Sequence, residues 1–518
     1  MTQDATTLTP EQIAAAIEAF LRDHAAAVVL EEGRVQFDMR SAQFTVNAEH
    51  SRCMLHIWSE QSNIIRRIVG MRERKGSLLL STQRMGQAKP QSLELVSGSE
   101  RKSPTSQATA RARYAKLLER VLSRNFHGFT ADPFRNTVDL QRSFGPAYTR
   151  GVLHRGQSAW AVIGVGHDET PASIDNVLTI GILWLAHCRE HAGGRRLFEG
   201  LRVIVPRGKA DVSGARMRWL NAKIAKWELY ELDAPSEELT QRDLRDCGNL
   251  ETSFSRAPNE AAMRERFARS IEYVLSLVPE KTRVEVLLRA SNEAAFLLHG
   301  LEFARVRNAF VGDSFSRTQQ VLFGAGANET VLTDDTQNLF RQTTAELFSR
   351  RHAAADKLDP VYRMQPERWL ESELRTKLDS LDTTIDGTEV YSQVPAFAAS
   401  DRGVLDLVAA TRARRLVVLE LKVSEDMHLA LQGLDYWIRV RQHHGANNDD
   451  FKRHGYFPSR ELQPQPPLLY YVVPSLHLHP ATEVVLRYFS PEVEWTLLGL
   501  DERWRDRISV VFRKRSSL

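Results

Sequence analysis

Asp406, Glu420 and Lys422 are the residues whose types and spacing could do chemistry. Residues 404–408 and 416–422 read as two apolar strands around a polar link at 411–415. Alternate residues of a strand share a face, so Glu420 and Lys422 stand together while Leu419, Leu421 and Val423 take the other side. A hairpin centred on Ala413 sets Asp406 directly opposite Glu420, where facing Cβ atoms lie about 4.5–5.5 Å apart. Two carboxylates that close, with Lys422 the only cation expected beside them, repel each other unless a divalent ion fills the gap. Hard oxygen donors with open positions suit Mg²⁺ or Mn²⁺, and a neighbouring lysine can position or deprotonate a water for attack on phosphorus. The competing reading is a salt-bridged Glu/Lys pair on an ordinary strand face.

The elements that must hold these groups are a helix on either side. Downstream, Gln432 and Tyr436 share a helix face by their four-residue spacing, and upstream a helix carries Glu371, with Glu373 on its solvent side. Taken together, Glu371, Asp406, Glu420-Leu421-Lys422 and Gln432 with Tyr436 resemble the PD-(D/E)xK, or restriction-endonuclease-like, nuclease superfamily, in particular its RecB-like branch. The resemblance covers about residues 367–475, and Leu405-Asp406 stands where the superfamily often has Pro-Asp. It implies a metal held by Asp406, Glu420 and the Leu421 carbonyl with help from Glu371. It further implies a water activated or oriented by Lys422, and Gln432 steadying Lys422 or a phosphate. Cleavage would leave 5′-phosphate and 3′-hydroxyl ends. A β-rich module ahead of such a domain is similar in arrangement to the NucS-type mismatch endonucleases, which pair two such units as a homodimer.

A duplication runs along the chain. Residues 11–21 and 265–275 match as amphipathic helices, the first opened by Thr9 as N-cap, Pro10 and Gln12 in a capping box. Leu118-Glu119 precedes Arg150-Gly151-Val152-Leu153 by the same separation at which Leu370-Glu371 precedes Arg402-Gly403-Val404-Leu405. Strands ending at Pro206 and Pro474 follow, with Trp227 to Asp233 and Trp495 to Asp501 equally far beyond them. The expected fold is mixed α/β and α+β, a tandem duplication over about 10–255 and 260–518. Its four modules are 1–100 (helix plus β-rich), 101–255 (degenerate nuclease-like α/β), 256–355 (second helix plus β-rich) and 356–518 (active nuclease). In the first copy His154 is expected at the Asp406 position, Gly164 and Gly166 at those of Glu420 and Lys422, and Gly181 near that of Gln432. That copy is left as scaffold or nucleic-acid grip.

Composition fits this frame. The 518 residues are 42% apolar and 26% charged, in the range of a globular chain of two to four domains. The longest apolar run, 177–188, is too short to span a bilayer, which takes about 20 residues, so no membrane partner is expected. No secretory signal is visible at the start, and Cys53, Cys188 and Cys247 form neither a disulfide framework nor a paired-cysteine zinc site, so a cytoplasmic protein is expected. Net charge is only +4, too weak a field to argue for nucleic acid by itself. His443, His444, His454, His477 and His479 lack the spacing of a zinc site. The segment 445–467, with Lys452, Arg453, Tyr456 and Phe457, reads either as a surface insertion or as a basic–aromatic finger for nucleic acid. The expected partner is nucleic acid, DNA in particular, and the expected assembly a monomer that is itself a pseudo-dimer. The rival is a non-catalytic nucleic-acid-binding or assembly scaffold built on nuclease folds.

Overall fold

The computed structural model describes residues 9–516, except 25–26, 32–33, 40–41, 50–51, 59–62, 75–76, 84–90, 98–103, 138–143, 247–251, 290, 311–316, 325–328, 399–400 and 446–447. Cys247 lies outside the described residues. The chain is mixed α/β with several sheets and divides into two compact units, residues 1–109 with 320–337, and 110–319 with 338–518. No helix among the described residues is long and apolar enough to cross a membrane.

The first unit is built on a seven-stranded antiparallel sheet between residues 28 and 96. One face carries the helix Pro10–Asp23, which begins as its capping box requires: Thr9 accepts from the Gln12 N–H and the Gln12 side chain accepts from the Thr9 N–H. Its apolar stripe, Ile13, Ala14, Ile17 and Leu21, is buried on the sheet with Leu55, Ile57, Leu80 and Leu95.

The second unit contains two sheets with the same sequence of connections. In the first, Tyr148–Arg155 runs antiparallel to Ser158–Val165, followed by Leu197–Pro206 and Lys226–Asp233 in parallel and Glu238–Arg242 antiparallel. In the second, Asp401–Thr411 runs antiparallel to Leu416–Leu421, followed by Leu468–Pro474 and Trp495–Leu500 in parallel and Val510–Arg515 antiparallel. Strand Ile385–Ala398 lies beyond Asp401–Thr411. The parallel strands are continuous apolar runs because helices cover both faces. Helices Val177–Glu190 and Leu429–His443 make corresponding crossovers, as do Asp211–Met217 and Pro480–Leu486.

These two halves pack helix to helix around one shared core. Leu220 and Phe489, each three residues past its helix, form a bridge with each other. The Asn221 N–H donates to the Tyr488 carbonyl at 2.8 Å, and the Ser490 N–H donates to the Trp219 carbonyl at 2.8 Å. Each half therefore gives the other the same hydrogen bond, the signature of an isologous contact. Between them in the chain, helix Glu260–Leu277 packs on the antiparallel strands Val284–Arg289, Glu293–Leu298 and Leu301–Phe310.

Candidate metal centre

The hairpin register is the one expected from a centre at Ala413: Leu407 faces Leu419 and Ala410 faces Leu416. One step further sets Asp406 opposite Glu420. There the ladder stops and the Asp406 side chain takes over, its Oδ2 accepting from the Leu421 N–H at 2.9 Å. On its other flank Asp406 faces Gln393, between the pairs Ser392 with Leu407 and Val394 with Leu405. Gln393 has φ 53°, a left-handed conformation that costs a non-glycine residue energy and that clusters at functional sites. Its amide reaches Glu371 Oε2 at 2.5 Å.

Glu371 comes from helix Pro366–Thr376, started by Pro366 and fixed by Trp369, Leu370 and Leu374 in the core. Its carboxylate also accepts from Arg368 at 3.2 Å. Lys422 emerges where the Glu420 strand ends, with Nζ 3.2 Å from Glu367 Oε1 and 3.6 Å from Asp426 Oδ2. Four neighbours were missed by sequence reasoning: Glu367, Arg368, Gln393 and Asp426. Glu367 was findable, being one helical turn before Glu371; Gln393 was not, since only a bulged register brings it here. The expectation that Lys422 would be the sole cation is corrected by Arg368, which lowers the pKa values of both Asp406 and Glu371.

Burial dominates the electrostatics. It raises the Asp406 carboxyl to about 6, with Glu367 adding to the shift and the Leu421 N–H, Arg368 and Lys422 opposing it. Burial likewise raises Glu371 to about 8, against Arg368 and with Asp406. Glu420 is only 5% exposed and is pushed well above the usual carboxylate range by burial and then by Asp406. Its Oε2 is buried with no hydrogen-bond partner. Burial works against the Lys422 charge, but Glu367, Asp426 and Glu420 outweigh it and hold the side chain as an ammonium. An ammonium can orient a water; it cannot take its proton. Gln432 and Tyr436 lie half-buried on helix Leu429–His443. Tyr436 feels Glu420 and Asp406, which add to burial in raising its pKa. No contact ties the Gln432 side chain to the carboxylates among the described residues.

These residues fit a hard divalent cation. Asp406, Glu420 and Glu371 offer only oxygen donors, and the partnerless buried Glu420 oxygen is a group that a cation would satisfy, but the three carboxylates do not come within 4.8 Å of one another as they stand.

The matching place in the first half is occupied differently from the sequence expectation. Ser158–Val165 pairs with Tyr148–Arg155 so that Ile163 faces Arg150, while His154 faces Ala159. Ile163 and Val165 share the core face on which Val418 lies, whereas Gly164 faces Leu118 and Tyr114 of the preceding helix. A one-residue slip flips every side chain to the other face, so Ile163 and Val165, not Gly164 and Gly166, stand at the places of Glu420 and Lys422. Arg150, not His154, stands at that of Asp406. Arg150 is buried with its guanidinium 4.4 Å from the Phe144 ring centre and a bond to the Thr137 carbonyl at 2.6 Å. Gly181 packs on Ile163 and Leu201 as Gly433 packs on Tyr471; it matches Gly433, and Ile180 matches Gln432. Glu119, expected from the sequence as the counterpart of Glu371, accepts from the Phe134 N–H at 2.8 Å. The equal spacing behind that expectation does not survive the observed register, which sets Arg150 at the place of Asp406 and not at that of Arg402. His187, Glu190 and His191 of this half bring three potential ligand atoms within 4.8 Å of one another, the last two exposed; the sequence reading passed over them.

Other candidates resolve locally. His479 caps helix Pro480–Leu486, His443 pairs with Asp450 at 2.7 Å and His444 bonds the Gln463 carbonyl at 2.7 Å. In the segment 445–467, Phe451, Tyr456 and Phe457 are buried against Tyr391 and one another. Its aromatics belong to the core, so it is not an exposed aromatic finger, while Lys452 and Arg453 are exposed. No protein-family model and no curated protein matches the chain.

Proposed function

We propose that the chain is a metal-dependent nuclease with one centre, at Asp406, Glu420 and Lys422, acting on nucleic acid and on DNA in particular. The observation that carries this reading is the buried Glu420 Oε2 without a partner, opposite Asp406 and beside an ammonium. A structural ion pair would have spent Lys422 on Glu420; instead Lys422 is drawn to Glu367 and Asp426, and the two strand carboxylates are left facing each other. Mg²⁺ bound there would polarise a phosphoryl oxygen and lower the pKa of a water. Asp406 and Glu420, with the Leu421 carbonyl, would hold the ion, and Glu371 would complete its carboxylate side. Gln393 and Arg368 fix Glu371 in place. Lys422 orients the attacking water, and Tyr436 and Gln432 wall the centre from the helix side.

The matching connections of the two sheets and the reciprocal hydrogen bonds across Leu220 and Phe489 support reading the second unit as a tandem duplication of a restriction-endonuclease-like module. In the first copy Arg150 and Ile163 replace the two carboxylates. The test is incubation of the purified chain with supercoiled plasmid, single-stranded DNA and RNA, with Mg²⁺ or with a chelator. Cleavage of a DNA substrate that the chelator stops is the expected result. No cleavage of any substrate, with Mg²⁺ or Mn²⁺ present, rejects the reading and leaves the non-catalytic scaffold.

A further inference from the structure

The half that lacks the carboxylate cluster nevertheless touches the loop that carries Lys422. Thr179 is fully buried on helix Val177–Glu190, and its Oγ1 is 3.1 Å from His428 Nδ1. His428 closes the loop that leaves the Glu420 strand, and its backbone N–H donates to Asp426 Oδ1 at 2.8 Å. The other Asp426 oxygen stands 3.6 Å from Lys422 Nζ. A second polar contact locks the helix that follows: Arg216, 5% exposed, grips both oxygens of Asp435 at 2.8 and 2.7 Å, one residue before Tyr436. Buried polar pairs in an apolar contact add little stability, because desolvation offsets their attraction, but they admit one geometry.

We infer that Thr179 is a positioning residue for the centre: through His428 and Asp426, the half without carboxylates sets where the Lys422 ammonium stands. The inference rests on the nuclease reading. The erased copy then persists because it supplies one wall of the working site.

The test compares Thr179→Val, which removes the hydroxyl at nearly constant volume, with Thr179→Ser, which keeps it, in the full chain. Thr179→Val lowers kcat about fivefold, the worth of one hydrogen bond, with KM and calorimetric Mn²⁺ affinity near the wild-type values. Thr179→Ser restores kcat. Combined with Lys422→Ala, Thr179→Val has no further effect, since the group it positions is gone. Wild-type kcat in Thr179→Val, an equal loss in Thr179→Ser, or full additivity with Lys422→Ala overturns the inference. A wild-type chain that neither binds Mn²⁺ nor cleaves overturns the nuclease reading and this one with it; a wild-type chain that does both, beside an unaffected Thr179→Val, overturns this one alone.

Discussion

Asp406 and Glu420 are carboxyls whose charged forms the fold by itself disfavours, and their substitution separates stability from activity. Outer partners of metal ligands cost about 10–100-fold when removed, so Asp406→Ala should cost more than that in cleavage rate. Its melting temperature in metal-free buffer should be unchanged or raised, because repulsion with Glu420 is relieved; a clear fall would assign Asp406 to the fold. Lys422→Ala should lower turnover while Mg²⁺ affinity holds or improves, since a positive charge beside the cation opposes its binding. Affinity lost in that variant would point to charge balance in place of water orientation. The raised carboxyls also fix a pH dependence. Asp406 near 6 and Glu371 near 8 in the folded chain lie above the unfolded values of about 4. The folded state therefore holds more protons, and their contribution to stability is complete below pH ~4 and lost as pH rises through about 6 and then about 8. Without metal, melting temperature should fall over that window, less so in Glu371→Gln. Mg²⁺ affinity should climb over the same window as protons are displaced. Parallel pH profiles for wild type and Glu371→Gln would contradict the assignment.

At the scale of elements, the helix Leu429–His443 sits close to the sheet because Gly433 lets it. A Cβ at Gly433 would strike the ring of Tyr471, which is fully buried with its hydroxyl on the Ala430 carbonyl at 2.6 Å. Gly433→Ala should therefore destabilise the chain by about 1–3 kcal/mol, read as a lower denaturation midpoint, and lower activity by moving Tyr436. An unchanged midpoint would mean that the helix can shift freely. The strands of the hairpin at 401–421 were legible in the sequence because their apolar alternation and polar link fix one register, and that register is the one found. In the first half the turn is tighter, at Gly156, so counting along the sequence missed by one residue on the second strand, giving Gly164 for Ile163, and by four on the first, giving His154 for Arg150. Gln393, Glu367 and Asp426 reach the centre through a bulge, a helix turn and a loop. No period in the sequence reports a bulge or a loop path. The segment 445–467 misled for a related reason: Gly, Asn and Pro mark turns, but its aromatics decide where it lies, and they are buried.

At the largest scale, the second unit holds two sheets with the same connections, joined by reciprocal bonds around Leu220 and Phe489, and the proposed duplication rests on that arrangement. One half presents carboxylates and the other a buried Arg150 with Ile163; on the proposed reading a single chain would therefore bring one carboxylate metal centre to a duplex. A dimer of identical live subunits could cut both strands in one encounter; this chain could cut one. The measurement that bears most directly on that claim follows supercoiled plasmid with Mg²⁺, with the mass of the protein determined under the same conditions. A monomer should accumulate nicked circles well before linear molecules appear, and Asp406→Ala should leave the plasmid supercoiled. Linear product formed directly by a confirmed monomer, or nicking that survives Asp406→Ala, would contradict the account.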